Sequence, residues 1–82
     1  MISKSLIVKV PEESETNAAM LVQTASVFSS RIHVTYLNRT VNAKSIMGVM
    51  TLPLENGDKV TVLAEGQDEE KAILALTDFF EG

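Results

Sequence analysis

The stretch RIHVTYLNRTVNAKSIMGVMTL, Arg31–Leu52, changes period partway through. Over Arg31–Leu37 the pattern alternates: Ile32, Val34 and Tyr36 fall on one side, Arg31, His33 and Thr35 on the other. That period of two is a half-buried strand. Asn38-Arg39 then reads as a tight turn and Thr40–Ala43 as a short strand running back. Ser45 stands where a helix cap belongs, and Ile46–Leu52 reads as a short helix closed by Pro53. A strand that returns through so short a turn is antiparallel, and this sets the class of the sheet.

Working outward, the N-terminal side supplies an alternating strand over Ser3–Val10, with Leu6, Val8 and Val10 on one face. Pro11 ends it, and Glu12–Glu15 forms an acidic approach to the next element. Ala18, Leu21, Val22, Ala25 and Phe28 recur at helical spacing, predicting an amphipathic helix over roughly 16–29. On the C-terminal side, Glu55-Asn56-Gly57-Asp58 is a turn. Lys59–Glu65 is a fourth strand with Val60, Val62 and Ala64 inward. Asp68 reads as the cap of a last helix, with Glu69 and Glu70 in its positive first turn and Ala72, Ile73, Leu76, Phe79 and Phe80 on its apolar side. The order is β-α-β-β-α-β-α. The predicted class is an α/β (α+β) two-layer, open-faced sandwich. Helices cover one face of a four-stranded antiparallel sheet, and Lys9, His33, Thr35, Lys59 and Thr61 lie on the open one.

Composition narrows the chemistry. Eighty-two residues, 45% of them hydrophobic, make one domain, 1–82, with enough apolar material for a core. There is no cysteine, so no disulfide, thiolate metal site or thiol nucleophile is available. The net charge is -4 and the seven basic residues are scattered, which argues against nucleic acid as a partner. The apolar run near the N-terminus is too short for a membrane span or a signal core, so the chain is expected to be soluble and cytoplasmic. His33, the single histidine, falls mid-strand and reads as a solvated surface side chain. No second ligand accompanies it, so neither a metal nor a cofactor is expected.

The element order, VQTAS at Val22–Ser26, VNAKSIMGVMTL at Val41–Leu52 and GQDEE at Gly66–Glu70 together resemble HPr. That family is the histidine-containing phosphocarrier of the bacterial sugar phosphotransferase system, and the likeness covers nearly the whole chain. The resemblance implies a phosphocarrier-like protein rather than an enzyme. In the family, a histidine at the start of the first long helix, within Gly-Ile-His-Ala-Arg-Pro-Ala, accepts phosphate from enzyme I. Counting back from VQTAS without a gap, that motif falls on Glu12–Ala18. Ser14 takes the histidine position, Thr16 the arginine position and Asn17 the proline position; the final alanine matches. The imidazole and the guanidinium are gone, and Glu12, Glu13 and Glu15 would repel an incoming phosphoryl group. Ser14 or Thr16 then serves as a helix cap, with Ser14 as a less favoured alternative acceptor.

The resemblance also implies a regulatory role for Ser45, the position phosphorylated by an ATP-dependent HPr kinase/phosphorylase in related proteins. The alternative is a plain N-cap. Ile46, Met47, Val49 and Met50 cannot all face inward on so short a helix. With Lys44 they are expected to form a partner-docking surface, for the kinase, a LacI-type catabolite repressor or other phosphotransferase-system proteins. Gly48 permits a close approach or marks a helix irregularity. The leading expectation is a regulatory or interaction module without phosphohistidine transfer. It is similar in logic to family paralogues that lack the histidine and keep the serine. The alternative is a phosphocarrier of sugar uptake with an unusual acceptor.

Overall fold

The structure is a computed structural model that describes residues 1–9, 14–52 and 55–81, with only the backbone of 14–17. Its elements are β1 (Ile2–Ile7), α1 (Ser14–Ser26), β2 (Arg31–Tyr36), β3 (Arg39–Asn42), α2 (Ile46–Met50), β4 (Lys59–Glu65) and α3 (Glu69–Glu81). The sheet order is β1-β4-β2-β3, and every neighbouring pair is antiparallel. The predicted class and element order hold.

The register explains the two faces. Leu6 lies opposite Val60, and Ile32 and Val34 lie opposite Ala64 and Val62, so these side chains share one face. All are buried there. From α1 they meet Ala18, Leu21 and Ala25, and from α3 Ala72, Ile73, Leu76 and Phe80. Burying each large apolar side chain contributes roughly 1.5–3 kcal/mol. Phe79 stays half-buried, edge-on to Phe80 at 5.1 Å between ring centres. On the open face, Ser5, Thr61, Thr35 and Thr40 line up across all four strands, with Thr35 and Thr40 hydroxyls 2.8 Å apart.

The observed boundaries depart from the predicted ones where side chains or distant segments take up backbone groups. β1 stops at Ile7 because Val8 N–H donates to Asp58 O and Lys9 N–H to Phe80 O, outside the β-ladder. Val10 and Pro11 lie outside the described residues. α1 ends at Ser26 rather than 29. The Ser29 and Ser30 N–H groups, which a longer helix would use internally, donate instead to the two carboxylate oxygens of Asp68, each at 2.9 Å. Phe28 therefore packs on the core from a turn rather than from the helix. The hairpin turn is Leu37-Asn38, one residue earlier than predicted, with Leu37 at φ +55°.

Asp68 corrects a second expectation. Its carbonyl accepts the N–H of Ala72, as a helix-start residue should, but its carboxylate faces away from α3. Besides the two N–H groups it takes the hydroxyl of the buried Ser30. These donors hold the Asp68 carboxyl down to about 2, with the Ser30 hydroxyl the largest cause. Glu69 supplies the reach-back to Gly66 N–H at 3.1 Å and also pairs with the N-terminal ammonium at 2.8 Å.

Candidate functional site

α2 is five residues long, too short to persist on its own, and side chains close both of its ends. Asn42 begins the construction. Its Oδ1 accepts Lys44 N–H at 2.8 Å, and its carbonyl accepts Ser45 N–H at 3.0 Å. Ser45 follows in extended geometry, φ -105° and ψ 111°, and its Oγ accepts Gly48 N–H at 3.2 Å. At the far end, Thr51 Oγ1 donates to Gly48 O, and Arg39 Nη1 donates to Thr51 O at 2.9 Å. Ser45 is half-buried.

The expected docking residues divide into two groups. Val49 is 5% exposed and belongs to the core, which removes it from any docking surface. Lys44 is also turned inward. Its Nζ donates to Phe28 O at 2.6 Å, placing a cation at the carbonyl end of α1. Ile46, Met47 and Met50 face outward, at 40%, 80% and 56% exposure. Their spacings of three and four put them on one side of the helix. Gly48 does not serve a forced close approach. A methyl group there would stand 3.4 Å from Val41 Cβ and 3.5 Å from Ser45 Oγ, at ordinary contact distance.

Met20 was not legible as a surface residue, yet it is half exposed on α1, the helix against which α2 packs. The available signal was its position outside the Ala18, Leu21, Val22, Ala25 stripe.

α1 begins at Ser14. The side chains of Ser14, Glu15, Thr16 and Asn17, and residues 10–13, lie outside the described residues, as do the caps and acidic approach expected of them. His33 sits mid-strand in β2, between Leu63 and Asn42 in register, and is half-buried. Among the described residues no group of three or more His, Asp or Glu side chains is arranged to hold a metal. Nor is any helix there long and apolar enough to cross a membrane.

The described residues thus form a four-stranded antiparallel sheet with three helices, and a serine caps the short helix whose outer side is apolar. The family model described as "PTS HPr component phosphorylation site" matches residues 2–82. The crystal structure of HPr-C-His from Thermoanaerobacter tengcongensis is 47% identical. It covers 99% of this chain and 92% of that one, with a TM-score of 0.86. Phosphocarrier protein HPr from Bacillus anthracis is 36% identical over 96% of this chain and 95% of its own, with a TM-score of 0.89. Crh, the Bacillus subtilis catabolite repression protein, solved as a swapped dimer, is 36% identical. That match covers 90% of this chain and 82% of Crh, with a TM-score of 0.75. The chain belongs to the HPr family of the phosphotransferase system, whose members are phosphocarriers rather than enzymes and interact with other proteins of that system.

Proposed function

We propose that this protein is a cytoplasmic regulatory and interaction module of the phosphotransferase system, phosphorylated at Ser45 and without phosphohistidine transfer. The observation that carries the reading is the Ser45 site. A half-buried serine lies directly before an outward-facing row of Ile46, Met47 and Met50, within a sequence that matches the family's regulatory motif. Serine in place of histidine at position 14 supports the second half. A serine hydroxyl is a weak nucleophile, and the carboxylates beside it in the sequence, Glu13 and Glu15, would repel an incoming phosphoryl group. Crh, a catabolite repression protein, is among the proteins this chain is similar to, which is compatible with a regulatory role.

In the proposed modification, Ser45 Oγ attacks the γ-phosphorus of ATP, the bond to ADP breaks, and the hydroxyl proton leaves to solvent. The candidate partners are an HPr kinase/phosphorylase and, downstream, a LacI-type catabolite repressor. Ile46, Met47 and Met50 are the docking side chains. Truncating Met47 or Met50 to alanine should weaken a captured partner by about 1–2 kcal/mol.

The test is a two-arm labelling experiment. ATP with an HPr kinase/phosphorylase should add one acid-stable phosphate, lost in Ser45→Ala. Phosphoenolpyruvate with enzyme I should add none. Ser14→His alone should not restore transfer, because Glu13 and Glu15 flank it and Thr16 supplies no positive charge. Acid-labile labelling of the wild type would replace this reading with that of a carrier using an unusual acceptor.

A further inference from the structure

Methionine is ordinarily among the more buried residue types. Here all four are at the surface: Met1 is 70%, Met20 49%, Met47 80% and Met50 56% exposed. Met47 is the most exposed large apolar side chain among the described residues. The chain has no cysteine, so no thiolate competes for an oxidant, and the thioethers are its softest exposed nucleophiles. Two of them stand three residues apart on α2, in a helix whose contribution to the core is the single side chain of Val49.

We propose that Met47 and Met50 are oxidation sites, and that their conversion to sulfoxides switches the outer side of α2 from apolar to polar without unfolding the protein. The oxidant is a peroxide. A sulfur lone pair attacks the terminal oxygen, an S–O bond forms and the O–O bond breaks. Sulfur loses two electrons, and the departing hydroxide takes a proton and leaves as water. The fold tolerates the change because neither side chain fills the core. The helix ends rest on Ser45, Thr51 and Arg39, none of which the reaction alters. The change is reversible, since methionine sulfoxide reductases return the thioether. A consequence for partner binding rests on the docking reading given above; the oxidation chemistry itself does not.

The experiment treats the folded protein with hydrogen peroxide. It follows each methionine by peptide mapping, the fold by thermal melting, and the surface by retention on a phenyl hydrophobic-interaction column. Met47 and Met50 should gain one oxygen each at rates within about threefold of a short methionine peptide. Cooperative melting should persist, and retention should fall and recover after reductase treatment. Met47→Leu with Met50→Leu should match the untreated wild type in retention and lose little of it in peroxide, although Met1 and Met20 still oxidise. Slow oxidation of Met47 and Met50, loss of cooperative melting, or an equal fall in retention for the leucine variant would each overturn the proposal. Kinase labelling of Ser45 separates the two readings. Retention that falls while labelling is untouched supports the oxidation sites and removes the docking role from the patch.

Discussion

Ser45 and Asp68 both read in the sequence as the first residue of a helix, but their side chains do different work. Ser45 turns back onto its own helix and takes Gly48 N–H, leaving the outer side of α2 to solvent. Asp68 turns away from α3 and takes three donors from Ser29 and Ser30, nearly forty residues away. One start is local and leaves a surface available; the other is long-range and joins two parts of the fold. The difference lies in what stands nearby. Gly66 lets the backbone before α3 come against Ser30, where a Cβ would lie 2.6 Å from Ser30 Oγ. No comparable approach occurs at α2.

The comparison is most exposed at Gly66. Gly66→Val would put a branched side chain into Ser30 at φ +153° and should cost about 3 kcal/mol in chemical denaturation. A wild-type midpoint would mean that the two segments are not joined there. Within α2 the division between core and surface gives the next effect. Val49→Ala should cost about 2 kcal/mol, whereas Met47→Ala should stay within about 0.5 kcal/mol in the same titration. Equal losses would erase the distinction between the two sides of the helix.

Smaller effects test the local cap. Ser45→Ala should lower stability by about 1 kcal/mol. Gly48→Ala should raise it by about 0.5–1 kcal/mol, since the methyl group has room and the helix gains propensity. The last test uses pH. The Asp68 carboxyl is lowered from 3.8 to about 2, so it binds a proton more readily in the unfolded chain. Its stabilisation is complete above about pH 4 and is lost as pH falls toward about 2. Glu69 is lowered as well, chiefly by the N-terminal ammonium, and contributes in the same direction. Melting curves between those limits should therefore slope less steeply in Asp68→Asn than in wild type, without becoming flat.

The same contrast explains what the sequence made legible. Period-two and helical spacings located five of the seven elements, and a turn and a cap located β3 and α2, because each of these signals is local. Ser45 was legible because its bond spans three residues. The clasp at Asp68 was not, because nothing in GQDEE indicates that Ser30 will lie beside it. Lys44 and Val49 were misjudged together: a short motif shows which residues are adjacent in sequence but not which way each points. For Val49 the answer lay in the core, and for Lys44 in the turn that follows another helix.

The first strand has a consequence in time. β1 finds its sole sheet neighbour in β4 and its outer edge is held by α3, with Ile7 N–H on Glu81 Oε2 and Lys9 N–H on Phe80 O. During synthesis β1 is made before the other six elements of the fold, yet its partners, β4 and α3, follow the rest of them. Until they arrive, Leu6 and Val8 have no sheet to join. The β2–β3 hairpin can close as soon as it is made, but β1 cannot dock before β4 and α3 are made. Docking of β1 therefore closes the largest loop in the fold, a non-local step of the kind that slows folding. Until then the nascent protein carries β1 as an unpaired strand.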